Sequence, residues 1–211
     1  MIMVRLYLDL ETYRPNVEEA FVNERIISVG IIVDRTSYHE RSLKRDIEPV
    51  LYSEWDGLDE KAIVSEVERT IRRTCSEYRF TTIVGFNILR FDVPLLVAKS
   101  GRTSQSGLEY ISKMWHDCFA IDLMQQLLVA NWSRFKGAGM SNIVSTAIRL
   151  GLNPPDYPTS GAMVKDLYES GDYEGIEAHL RQDLRIIRWL DLYGVRRLTE
   201  QSVKEQRPLF R

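Results

Sequence analysis

The segment YEGIEAHLRQDLRIIRWLDLYGVRRL (173–198) carries an apolar stripe that the rest of the chain has to cover, with a titratable pair set inside it. Wound as a helix at about 100° per residue, it places Ile176, Leu180, Leu184, Ile186, Ile187 and Leu190 on one broad face. Arg181, Gln182, Arg185 and Arg188 occupy the opposite side, as a solvated face would. His179 and Asp183 fall within the apolar arc, one turn apart. An unpaired carboxylate among core leucines costs on the order of several kcal/mol, so Asp183 has to meet a cation there. The alternative is a His179–Asp183 pair that satisfies itself within the helix.

The chain has 211 residues, one ordinary domain's worth, enough to bury a full core without disulfides or metals as staples. At 44% hydrophobic and 27% charged it has the composition of a soluble globular protein, which excludes disordered, collagenous and membrane classes. Strands are expected at residues 4–10, at Arg25–Asp34 and, more weakly, near Tyr38–Ile47. A helix with apolar residues at helical spacing runs from Leu58 to Tyr78, and a short buried strand, Thr81–Phe86, opens into a helix at Asp92. Ala120–Ile121 reads as a further short strand and Asp122–Ala130 as a helix. Loops at 131–139 and 153–161 are bracketed by helices at Ser141–Leu150, Ala162–Glu169 and Tyr173–Leu198. This order makes a mixed-sheet α/β domain.

Lys+Arg 28 against Asp+Glu 30 gives a net charge of -2, so no global basic field exists to hold a polyanion; a local patch or bound cations would have to do so. Cys75 and Cys118 stand far apart in the sequence, without CxxC spacing, which argues against a disulfide scaffold or zinc ribbon and fits a reducing cytoplasm. Both read as core or near-surface thiols. The opening MIMVRLYLDLE lacks signal-peptide character, and no later run is long enough to span a bilayer, so a cytoplasmic location is expected.

Three further acids complete the pattern. In LYLDLETY (6–13), Asp9 and Glu11 share one face of a strand whose other face is Leu6, Leu8 and Leu10. They are either solvated acids on an edge strand or, in a strand this apolar and this early, a central pair that needs something positive between them. In TTIVGFNILRFDVPLL (81–96), Asp92 stands where loop becomes helix, with Pro94 in the first turn. Both are ordinary helix-start residues, although a carboxylate can cap a helix and bind a metal at once. Hard oxygen donors without a thiolate cluster favour Mg²⁺ or Mn²⁺ over zinc.

These motifs, in this order, resemble those of the DEDD-type 3′–5′ exonucleases of the DnaQ-like, ribonuclease H-like superfamily, above all the exonuclease domains of family B DNA polymerases and their free-standing relatives. Asp9 and Glu11 match the first motif, GFNILRFDVPLL the second with Asp92 as its acid, and Asp183 the fourth acid in the third motif. The resemblance implies a ribonuclease H-like fold with a central mixed five-stranded sheet flanked by helices, an exonuclease domain at 1–198 and a tail at 199–211. It implies two divalent cations held by Asp9, Glu11, Asp92 and Asp183. The implied activity is release of nucleoside 5′-monophosphates from DNA 3′ ends, with single strands the expected substrate. RNA is the alternative substrate, and a non-cutting module that binds nucleic acid or a replication partner the alternative role. The backbone at Leu10 and Thr12 and the side chain of Asn87 would face the terminal nucleotide, with Tyr13 and Phe91 stacking or wedging.

One departure stands out: the family's proofreaders have Tyr where this chain has His179, with three residues between it and Asp183. A histidine is better suited than a tyrosine to take a proton near neutral pH, and a catalytic part is expected for it, with positioning of the water alone or a packing substitution as the alternatives. The loop residues Trp132, Arg134, Phe135 and Lys136 have the make-up of a strand-holding surface, or of a partly packed loop with two solvated cations. Arg72 and Arg73 are expected on a solvated helix face, and Asp122 as a helix start or supporting acid. The tail residues Gln206–Phe210 resemble the short Gln-x-x-Leu-Phe peptide by which bacterial proteins engage the sliding clamp. In the alternative, Leu209 and Phe210 fold back onto the domain.

Overall fold

The computed structural model describes residues 3–15, 24–36, 42–103, 107–157 and 163–210. Its centre is β1 (Met3–Tyr13), which runs antiparallel to β2 (Arg25–Asp34) and parallel to β4 (Phe80–Gly85). The edges are β3 (Val50–Ser53), antiparallel to β2, and β5 (Phe119–Asp122), parallel to β4, in the order β3-β2-β1-β4-β5. This is the mixed five-stranded α/β sheet expected, and it puts the strand bearing Asp9 and Glu11 in the middle rather than at an edge.

Alternation along β1 divides the core. Leu6, Leu8 and Leu10 face α1 (Glu60–Glu77) and α2 (Asp92–Thr103), where they meet Ile63, Val67, Ile71, Leu95 and Leu96. Tyr7 faces the other way, into a cluster built by Leu184, Ile187 and Trp189 of α7 (Tyr173–Trp189), Leu127 of α4 (Leu123–Leu127) and Ile143 of α5 (Met140–Arg149). Asp9 and Glu11 alternate onto Tyr7's side, toward α7. A further helix, α3 (Gly107–Asp117), precedes β5 without having been expected, and α6 (Val164–Ser170) leads into α7.

The long C-terminal helix is not continuous. After α7 it widens into a π turn at Leu190–Gly194 and resumes as α8 (Val195–Glu205), so position 198 falls inside a helix. Within the π turn Asp191 accepts the Tyr7 hydroxyl at 2.9 Å and sits 3.3 Å from Arg5 Nε, which ties the turn to β1. The expected strand near Tyr38–Ile47 lies partly outside the described residues; residues 42–49 form turns, and the edge strand comes later, at Val50. Those turns are held by α7's cations rather than by a ladder. Arg181 reaches Glu48 at 3.2 Å, and Arg188 donates to the Ser42 carbonyl at 2.9 Å and pairs with buried Asp34 at 3.5 Å. Arg188 is therefore not on a solvated face: the segment covering that side leaves it only 6% exposed. Arg72 and Arg73 are exposed, as expected.

The two cysteines, far apart in sequence, come together. Cys75 of α1 and Cys118 before β5 bring their sulfurs to 3.0 Å, with neither in a disulfide. The contact pulls the Cys75 thiol down to about 7, against the upward push of burial. Among the described residues no helix is long and apolar enough to cross a membrane.

Candidate active site

Three segments converge on the α7 side of the sheet. The first is β1, whose register shift between Glu11 and Thr12 interrupts the ladder just past the two acids, before pairing resumes at Thr12 and Tyr13. The second is the turn from β4 into α2. Asn87 takes a left-handed backbone (φ 61°), and Asp122 holds the turn by accepting the backbone N–H groups of Asn87 and Leu89 at 3.1 and 3.2 Å. The same carboxylate caps α4 through the N–H groups of Met124 and Gln125, so Asp122 supports the turn, as expected of it. Asp92, buried, then starts α2 with its carboxyl hydrogen-bonded to its own backbone and to that of Leu10. The third segment is α7, which carries His179 and Asp183.

His179 is buried, and its Nε2 lies 3.6 Å from Glu11 Oε1 and 3.7 Å from Asp183 Oδ2. One donor atom from each of these three residues falls within 4.8 Å of the others, a spacing that could hold a metal ion. His179 therefore faces both acids from different segments rather than closing on Asp183 alone. Asp9 and Asp92 stand outside this tight trio but within its field.

Burial is the main force on all four acids. It holds Asp9 well above the usual carboxylate range, with Asp183, Asp92 and Glu11 adding repulsion, and it raises Glu11 likewise, beside Asp183 and Asp92. Asp92 is pushed up to about 8 and Asp183 to about 7, each against hydrogen bonds that pull the other way. His179 moves down, because burial disfavours its charged form. Like charges this close cannot all ionise without a cation. Asp183 Oδ1 is moreover buried with no hydrogen-bond partner among the described residues. A cluster of carboxylate oxygens with one imidazole and no thiolate fits a hard divalent cation.

Sequence reasoning missed Tyr157. From the Pro-rich loop before α6 its hydroxyl donates to Asp183 and accepts from Ser141 at the start of α5, and its ring lies 6.2 Å from that of His179. Nothing in residue spacing marks it, since the loop reaches the site only through the tertiary fold.

The expected substrate contacts are placed as follows. The Leu10 side chain is in the core, and its backbone hydrogen-bonds to both Asp9 and Asp92. Thr12 donates to Glu24 at 2.7 Å. Tyr13 packs at 4.5 Å on Tyr168 under the Arg25 guanidinium. Phe91 packs against the α1–α2 side of the core, away from α7. The Asn87 side-chain oxygen is buried with no hydrogen-bond partner among the described residues.

At the tail, Gln206 is exposed, but Leu209 and Phe210 are buried in the core beside α4 and α5. The Leu209 N–H donates to the Ala130 carbonyl and the Phe210 N–H to Asn131 Oδ1. The tail thus folds back onto the domain, and a clamp-binding peptide would need these two side chains outside.

No protein-family model matches the chain, and no curated protein matches it. Among solved structures it is similar to the family B DNA polymerase from the hyperthermophilic archaeon Pyrobaculum calidifontis, with a TM-score of 0.50 and 14% identity over 95% of this chain and 24% of that one. The chain thus spans about a quarter of that polymerase's length. At such identity the likeness speaks to the fold alone: a mixed five-stranded sheet flanked by helices, of the ribonuclease H-like kind.

Proposed function

We propose that this protein is a metal-dependent 3′–5′ exonuclease that removes nucleoside 5′-monophosphates from DNA 3′ ends, single strands foremost. The observation that carries this reading is the convergence of Asp9, Glu11, Asp92 and Asp183 from three separate segments, with His179 between Glu11 and Asp183. Two divalent cations, Mg²⁺ or Mn²⁺, held by these four acids would polarise the scissile phosphate and make a nucleophile of water at neutral pH.

The chain's own residues do the rest. The Leu10 backbone orients Asp9 and Asp92 together. Tyr157 holds one oxygen of Asp183, leaving the buried Oδ1, which has no hydrogen-bond partner among the described residues, to meet a cation. His179, kept neutral by burial, positions the attacking water and takes up its proton. The Asn87 oxygen is an acceptor for the terminal nucleotide. Phosphorus gains an oxygen from water and loses the 3′-oxygen of the preceding nucleotide, which leaves a new 3′-hydroxyl.

The test is incubation of end-labelled single-stranded DNA, duplex DNA and RNA with Mg²⁺ or Mn²⁺, alongside EDTA and Asp9→Ala controls. Stepwise mononucleotide release from the DNA 3′ end, abolished by EDTA and by Asp9→Ala, is the expected result. Release from RNA alone would make the protein an exoribonuclease. No release from any substrate would sink the enzymatic reading.

A further inference from the structure

The segment that joins α4 to α5 is held rigid yet keeps its large apolar side chains outside. Asn131 is fully buried; its Nδ2 donates to the carbonyls of Arg134 at 2.5 Å and Lys136 at 3.0 Å, and its Oδ1 accepts the Phe210 N–H at 3.1 Å. The tail therefore buttresses the loop from beneath. Trp132 and Ser133 take left-handed backbones, φ 52° and 61°, a conformation that L-residues keep only where the surroundings enforce it. The result is a fixed loop with Trp132 54%, Phe135 56% and Val129 65% exposed. Large apolar side chains kept exposed on one short, ordered segment point to an interaction site.

Two observations say what the surface fits. Its charge is basic: Arg134 and Lys136 are exposed, and neither has an acidic partner among the described residues. With Arg207, Pro208 and Phe210 they line a groove of about 380 Å³ whose lining, among the described residues, holds no carboxylate; Arg207 itself pairs with Glu205 at 2.6 Å. The surface is also joined to the catalytic turn, because the Arg90 guanidinium lies 5.2 Å over the Phe135 ring, two residues before Asp92. Flat ring faces interleaved with cations match the bases and phosphates of a single strand, and the match is sequence-tolerant because every base has a π face. On a chain of net charge -2 this local patch supplies the positive field that the composition lacks.

We infer that Trp132, Arg134, Phe135 and Lys136 form a binding surface for single-stranded nucleic acid, with bases stacked on the two rings and phosphates on the two cations. Its part in feeding an end to Asp92 rests on the exonuclease reading; its affinity does not.

Fluorescence anisotropy with a fluorescein-labelled oligothymidylate of about fifteen nucleotides, in EDTA so that nothing is cut, tests binding apart from catalysis. Trp132→Ala and Phe135→Ala are each expected to weaken binding about tenfold. Arg134→Gln and Lys136→Gln should each lower the salt slope by about 0.7. All four side chains are exposed, so the thermal midpoint should stay at the wild-type value, which separates lost affinity from lost fold. Wild-type affinity and salt slope in all four variants would overturn the inference, as would capture of anionic vesicles but not of the oligonucleotide. Weakened binding in the variants of a protein that releases no nucleotide would leave this surface standing while the exonuclease reading fell.

Discussion

Taking one oxygen from Tyr157 separates holding Asp183 from building the fold. The phenol bridges Ser141 and Asp183, so Tyr157→Phe keeps the ring while removing one hydrogen bond from a carboxylate whose other oxygen has no hydrogen-bond partner among the described residues. A hydrogen bond to a metal-ligating group is worth about 10- to 100-fold in metal affinity or activity, and the expected outcome is a loss of that order in kcat with a higher Mn²⁺ requirement. Titrating nucleotide release against Mn²⁺ checks it; an unchanged requirement would make the phenol a packing group. His179 is tested differently. Its charged form is disfavoured by burial, so it is ready to accept a proton on the alkaline side of a value below 6.5. His179→Ala should cost about 10²-fold or more in kcat and, at saturating Mn²⁺, remove the step of the pH–rate profile that lies below 6.5, leaving the higher step that belongs to the acids. A proportional loss at every pH would make His179 a spacer between Glu11 and Asp183.

Gly30 sets how closely α7 approaches the sheet. It lies directly across the ladder from Asp9, and a β-carbon there would stand 2.6 Å from Leu184 Cδ1 and 3.1 Å from Leu180 Cγ. These leucines flank Asp183 and follow His179, so the absence of a methyl group on β2 is what brings the α7 pair down to β1. Gly30→Ala should cost about 1–3 kcal/mol through overpacking, lower the melting temperature by several degrees, and reduce nucleotide release by more than the folded fraction accounts for. Calorimetry and activity on the same sample check both. This approach also explains what could be read from the sequence. The stripe Ile176–Leu180–Leu184–Ile187 and the alternation of Leu6, Leu8 and Leu10 are local periodicities, and they fixed which faces are buried and where the acids point. Helical periodicity assigns Arg188 to a solvated face, but the side of α7 it occupies is covered by residues 42–49, whose path no periodicity reports. Tyr157 and the Cys75–Cys118 contact were out of reach for the same reason: each joins segments whose meeting is decided by packing.

The acids that make the site also weaken the metal-free fold, and the sign of that effect can be worked out. In the unfolded chain Asp and Glu ionise near their ordinary values of 3.8 and 4.5; in the native fold Asp92 waits until about 8, Asp183 until about 7, and Asp9 and Glu11 are raised well above their ordinary values. Between about pH 4 and about pH 8 the native state therefore holds protons that the unfolded chain has released, so stability from these groups is full below that window and drains as pH rises through it. His179 works the other way below 6.5, where the unfolded chain would charge and the buried imidazole resists, but it is one group against four. A divalent cation bound to the ionised cluster reverses the loss, and it binds better at higher pH because protons compete for the same oxygens. In EDTA the melting temperature should fall by several degrees between about pH 5 and about pH 8. Mn²⁺ should restore it, by more at the higher pH. Asp183→Asn removes one titrating group and, on the proposed function, one ligand, so it should flatten both the pH dependence and the response to Mn²⁺, relative to wild type in the same buffers. Equal pH dependence in wild type and Asp183→Asn would mean that the acids are relieved within the protein and that no ion is needed to hold them together.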